Sequence, residues 1–125
     1  MYKIENIGKN KFYLKVIGSF PPSVATKFAE EFLKLIEDLD TFSIIIDLLD
    51  EILIKIDSID IILDLLKETG KKVERSAFLI SNNPPLTEEA KYVLKLAKSD
   101  KRKIVSNLDE AKEWLGISDI VIKRD

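Results

Sequence analysis

Asp47, Asp50, Glu51, Asp57 and Asp60 crowd one short stretch of this chain, and by type they are the residues best suited to chemistry. Carboxylates gathered around a strand end and a helix start are able to hold Mg²⁺ or to act as an acid/base pair. Ca²⁺ fits poorly, because the alternating Asp ligands and central Gly of a calcium loop are missing. The rest of the sequence gives these acids no helpers. Histidine and cysteine are both absent, which excludes every Ser-His-Asp or Cys-His arrangement and any zinc site built on those residues. Gly8, Gly18, Gly70 and Gly116 stand singly at element boundaries, so no glycine-rich loop cradles a phosphate. Helix capping and solvation of loop acids account for the carboxylates without catalysis. The expectation is a protein that is not an enzyme and uses neither metal nor cofactor.

Two other groups have the right residue types for binding. Lys98-Ser-Asp-Lys-Arg-Lys103 is the densest basic run, with Lys71, Lys72 and Arg75 as a second. Nucleic-acid binding joins such a patch to exposed aromatic rings. Here the aromatics fall on predicted buried faces, Asp100 interrupts the run, and the formal net charge is −2. A solvated connection is expected, and no nucleic-acid partner. Ser81-Asn-Asn-Pro-Pro85 follows a core strand, the place where α/β proteins bind ligands. Asn82 and Asn83 either hydrogen-bond a ligand or partner, or form the turn that positions Thr87 as a helix cap.

The elements that must position these residues follow from periodicity. Tyr2–Ile7 and Phe12–Ile17 read as strands joined by Gly8-Lys9-Asn10-Lys11, whose Gly and Asn tolerate the positive φ of a tight turn. Gly18-Ser-Phe-Pro-Pro22 should break the second strand and open a helix, which turns Val24, Phe28, Phe32, Leu35, Ile36 and Leu39 to one face. Phe42–Asp47 is apolar and rich in β-branched residues, a strand covered on both faces with an acid at its end. Leu48–Ile56 fits a short strand or a packed loop equally well. A helix over 58–69 follows, with Asp57 or Ser58 as N-cap, Ile59, Ile62, Leu63 and Leu66 inward, and Gly70 as its stop.

Ala77–Ile80 is the core of the next strand, and the helix after it turns Ala90, Val93, Leu94 and Ala97 inward. Lys103–Ser106 is a brief strand. Asn107-Leu-Asp-Glu110 has capping-box spacing and starts a helix, Leu108–Leu115, which Gly116 ends and Ala111, Trp114 and Leu115 should pin to the sheet. Residues 117–123 fit an edge strand or a docked tail. The alternation of strands and helices predicts an α/β domain over 1–125, with a mixed four- to five-stranded sheet and about four helices.

Length and composition agree. A chain of 125 residues with 46% hydrophobic and 34% charged residues can bury a core without staples. The N-terminus has no apolar h-region, Asp and Lys interrupt every apolar run, and cysteine is absent, so a cytoplasmic protein with no membrane span is expected.

Ser43-Ile-Ile-Ile-Asp47, then Ile56-Asp57-Ser58, then Gly70-Lys-Lys-Val resemble the STAS family, the sulphate transporter and anti-sigma-factor antagonist domains. Asn107-Leu-Asp-Glu-Ala-Lys-Glu-Trp-Leu115 is similar to an ending seen in stage II sporulation protein AA-like members. The resemblance implies a STAS-like sandwich and a non-catalytic protein-interaction or regulatory role. The family's motif is Asp-Ser-Ser-Gly, whose second serine takes a regulatory phosphate. This chain has Ile59 there and Asp60 in place of the glycine, so that site has no hydroxyl to modify. Ser58 is a substitute whose phosphate would gain from the helix dipole, while Asp57 and Asp60 repel it.

Two functional expectations result. One is an interaction module whose partner surface comprises Asp57, Ser58, Asp60, Asp50, Asn82 and Asn83, with exposed members of Leu48–Ile56 adding an apolar patch for a protein partner or a homodimer. The alternative is a carrier or sensor of a small, lipid-like apolar ligand held between helices and sheet. A void lined by Phe28, Phe32 and Ile62 would favour the carrier; a filled core with an apolar patch near Asp57 would favour the interaction module.

Overall fold

A computed structural model describes residues 2–54, 56–80, 84–97, 100–117 and 122; at 19, 50–54, 56–57, 84–86 and 97 it describes the backbone alone. The strands are β1 (Tyr2–Gly8), β2 (Lys11–Phe20), β3 (Phe42–Ile54), β4 (Val73–Leu79) and β5 (Arg102–Val105). The helices are α1 (Pro22–Leu35), α2 (Ile56–Glu68), α3 (Pro84–Ala97) and α4 (Leu108–Leu115). The strands form one sheet in chain order, β1-β2-β3-β4-β5. The β1–β2 pair is antiparallel and the other three pairs are parallel.

Chain order has a geometric consequence. Right-handed crossovers that always step in one direction put their helices on one side of the sheet, and α1, α2 and α3 share one core with the sheet face they cover. Only α4 lies on the opposite face, against Ile45, Ala77, Leu79 and Val105. A sheet in chain order also has no point where the order reverses.

Local chemistry explains most of the elements. Asn10 takes φ 58° in the β1–β2 turn. Pro22 opens α1, where its missing N–H costs no helical bond. Asn107 Oδ1 accepts from the Glu110 backbone N–H at 2.9 Å, Gly116 closes α4 at φ 73°, and Trp114 Nε1 donates to the Ser76 carbonyl at 3.0 Å. The helix-side core is aromatic: Phe12, Phe20, Phe28, Phe32 and Phe42 join Tyr2 in a chain of ring contacts, mostly edge-to-face.

Several expectations are corrected. The second strand does not break at Gly18. It bends there, with Gly18 at φ +71° and register shifts on either side of Ile17 and Gly18, and runs on to Phe20. Leu48–Ile54 is neither a loop nor a separate strand but the continuation of β3, which pairs with β2 as far as Phe20–Ile54. Asp47 thus lies mid-strand. Asp57 and Ser58 fall inside the first turn of α2, and Thr87 inside α3, so none of the three precedes its helix as a cap. Leu35 is 45% exposed, because α1 ends there and Ile36 takes the inward place. Ile117 and Ile122 pack on the α4-side core; the rest of 117–123 lies outside the described residues.

Candidate functional site

Of the predicted partner-binding residues, the structure describes the side chains of Ser58 and Asp60. Ser58 is fully buried, and its hydroxyl donates to the Phe20 carbonyl at 2.5 Å, tying the end of β2 to the first turn of α2. Ile59 sits in the helix-side core, while Asp60 is exposed. The side chains of Asp50, Glu51 and Asp57, and all of Asn82 and Asn83, lie outside the described residues.

Asp47 is on the other side of the sheet from α2. Strand alternation groups it with Ile45 and Leu49 on the α4-side face. It is fully buried there, accepting from the Tyr13 hydroxyl and from the Leu49 backbone N–H. Lys15, also buried, is its register partner on β2. The sheet separates Asp47 from Asp60, so these two acids make no catalytic pair. Among the described residues no group of three or more acids is placed to hold a metal.

The basic residues are likewise dispersed into structural roles. Lys72 Nζ donates to the Ile36 and Glu37 carbonyls just beyond α1, at 3.0 and 3.2 Å. The Arg75 guanidinium lies 4.0 Å from the centre of the Trp114 ring, with Lys103 Nζ at 5.4 Å. Asp100, Lys101 and Lys103 are exposed, as a solvated connection requires, but Arg102 departs from that reading. It is only 7% exposed, and its Nη2 donates to the Leu66 carbonyl at 3.1 Å and to Thr69 Oγ1 at 3.4 Å, at the C-terminus of α2. Its Nε has no hydrogen-bond partner. Burial lowers its pKa to about 10, so it stays cationic at neutral pH.

Arg102 borders the feature most suited to binding. A cavity of about 70 Å³ lies between the sheet and α1–α3, lined by Phe28, Phe32, Ile62, Leu66 and Ala90 among others. Apart from Arg102 and Thr69, every described residue lining it is apolar. Native interiors hold few voids larger than a water molecule. An engineered apolar cavity of roughly 150 Å³ admits benzene, so this one has room for a short chain and not for a whole lipid. Phe28, Phe32 and Ile62 are the residues that the carrier reading required.

Sequence reasoning missed Arg102 because its neighbours are charged. The signal was present in the strand period: Arg102 and Ile104 share a face, and Lys103 points to the other.

No family model matches the sequence, and no curated protein matches it. Solved structures do. A protein of the DUF3478 family with a SpoIIAA-like fold, from Shewanella loihica PV-4, is 17% identical over 92% of each chain, with a TM-score of 0.71. The anti-sigma factor antagonist SpoIIAA in its unphosphorylated form is 9% identical, over 98% of this chain and 100% of that one, with a TM-score of 0.67. Among the described residues, no helix is long and apolar enough to cross a membrane. The sheet in chain order, the three helices on one face and these likenesses agree: the chain has the SpoIIAA-like, STAS-type α/β fold.

Proposed function

We propose that this chain is a non-catalytic binding module that holds a short apolar ligand in its helix-side core. The cavity among Phe28, Phe32 and Ile62 carries this reading. Retaining such a void costs stability, and an apolar void between sheet and helices is the form that small-molecule sites take. The module works without the phospho-switch of the antagonists it resembles. Ile59 stands where the family's serine accepts phosphate, and Ser58 spends its hydroxyl inside the fold on the Phe20 carbonyl. The absence of histidine and cysteine and the separation of Asp47 from Asp60 support a role without catalysis. The test is a methyl NMR titration with straight-chain alcohols of increasing length. Shifts confined to Ile62, Leu65, Leu66 and Val93 are expected; an unchanged spectrum at millimolar alcohol overturns the reading.

A protein-partner surface at the start of α2 is the second reading. It is favoured by Asp60, exposed within α2. A partner recovered from native extracts of the source cells, and lost with Asp60→Ala, would support it. Retention of the same partner by that variant would remove that surface.

A further inference from the structure

β1 lies at one edge of the sheet, and among the described residues its backbone pairs only with β2. An edge strand presents a row of unpaired N–H and C=O groups with which another strand can pair. The register of β1 with β2 is regular from Tyr2 to Asn6 and shifts between Asn6 and Gly8. The regular segment therefore has Ile4 at its centre. Its side chains divide by parity. Tyr2 and Ile4 pack on the helix-side core, so Lys3 and Glu5 stand together on the opposite face. Lys3 Nζ lies 2.7 Å from Glu5 Oε1, and the two side chains are 44% and 39% exposed, within reach of a second chain.

A lone lysine on an edge keeps a second copy away. A lysine followed two residues later by a glutamate acts differently, because an antiparallel copy reverses their order. A two-fold axis through Ile4, perpendicular to the sheet, pairs every residue of Tyr2–Asn6 with one of the second copy. It sets Lys3 opposite the second copy's Glu5, and Glu5 opposite its Lys3. The four charges then alternate around a rectangle, each cation beside one carboxylate on its own strand and one across the pair. Opposite charges at facing positions stabilise paired strands, and like charges destabilise them. Moving the axis one residue either way puts Lys3 against Lys3 or Glu5 against Glu5. β5, at the other edge, carries Arg102 and Lys103 and no acid, so it has no self-complementary register of this kind. We infer that the chain forms an isologous dimer through an antiparallel β1–β1 pair centred on Ile4, held in register by Lys3 and Glu5 of both copies. The two five-stranded sheets become one. None of the described residues lining the cavity belongs to β1, so the dimer is independent of the ligand reading.

So short a contact belongs among the small, transient interfaces, and the experiment is sedimentation velocity of the whole chain from about 1 μM to about 1 mM. The parent should pass from monomer to dimer as concentration rises. Lys3→Glu and Glu5→Lys should each weaken association about tenfold, and the double exchange Lys3→Glu with Glu5→Lys should restore it. Circular dichroism checks that the variants fold. Amide hydrogen exchange of the parent needs no variant, and the amides of Tyr2–Asn6 should exchange more slowly in the dimer. A monomer throughout the range overturns the dimer. A dimer that both single variants keep, that the double exchange does not restore, or whose β1 amides exchange at the monomer's rate overturns this edge and register.

Discussion

Replacing Ala90 with leucine tests whether the core has spare volume. Ala90 lies within α3, is 5% exposed and lines the cavity. Alanine and leucine are both good helix formers, so the change acts through packing and not through helix propensity. Residual cavity volume costs about 24 cal/mol per Å³, so a void of about 70 Å³ corresponds to about 1.7 kcal/mol recoverable if the new carbons fill it. With an unfolding entropy of roughly 2.1 cal/mol/K per residue over 125 residues, that raises Tm by about 6 °C. The assay is urea unfolding of ligand-free protein followed by Trp114 fluorescence, the only tryptophan in the chain. Ala90→Leu should move the midpoint upward at constant slope and abolish alcohol binding. A lower midpoint would refute the reasoning, since it means that helices and sheet already meet and the added carbons overpack them.

Other expectations follow from individual contacts. Ser58→Ala leaves the Phe20 carbonyl without its donor and should cost about 1–3 kcal/mol in chemical denaturation. Phosphopeptide mass spectrometry of the folded protein after kinase treatment should find Ser58 unmodified. Tyr13→Phe removes a hydrogen-bond donor from buried Asp47 and should cost about 1–3 kcal/mol, the penalty for leaving a buried polar group unpaired; an unchanged denaturation midpoint would show that the bond contributes nothing. Asn107→Ala should cost about 1 kcal/mol, and Asn107→Gly only a few tenths, because glycine is itself an acceptable N-cap. The Tyr2 hydroxyl is pushed up to about 12, first by burial and then by its hydrogen bond to Glu31 and that carboxylate's charge. A raised pKa favours the neutral hydroxyl in the folded state. Its contribution is complete below the unfolded value of about 10 and is lost as pH rises toward 12. Stability measured from pH 8 to 12 should fall less steeply in Tyr2→Phe than in the parent.

Local rules read correctly wherever a few neighbouring residues settle the matter. The capping box at Asn107, the left-handed Gly116, the inward set Ala111, Trp114 and Leu115, and the proline start of α1 all depend on contacts within a turn or two. The strand–helix alternation, and with it the α/β class with a mixed sheet, also came from periodicity alone. Local rules misled where a distant strand overrode them. Gly18 and the prolines argued for a break, yet pairing with the extended β3 carries β2 through a bend to Phe20. The same pairing draws out Leu48–Ile54, whose local pattern was ambiguous.

The sequence by itself determined which residue types were available: acids without histidine or cysteine, and apolar stripes enough for a core. Tertiary structure alone decided where they went. Asp47 and Asp60 are near in sequence, but the sheet lies between them because strand parity assigns one to the α4 side and crossover handedness assigns the other to the opposite side. Arg102 sits in a charged run, yet it is buried because the end of α2 arrives over β5 and offers it the Leu66 carbonyl. The cavity belongs to no segment. It is the volume left when side chains from four strands and three helices meet, and no pattern along a single segment encodes a difference of that kind.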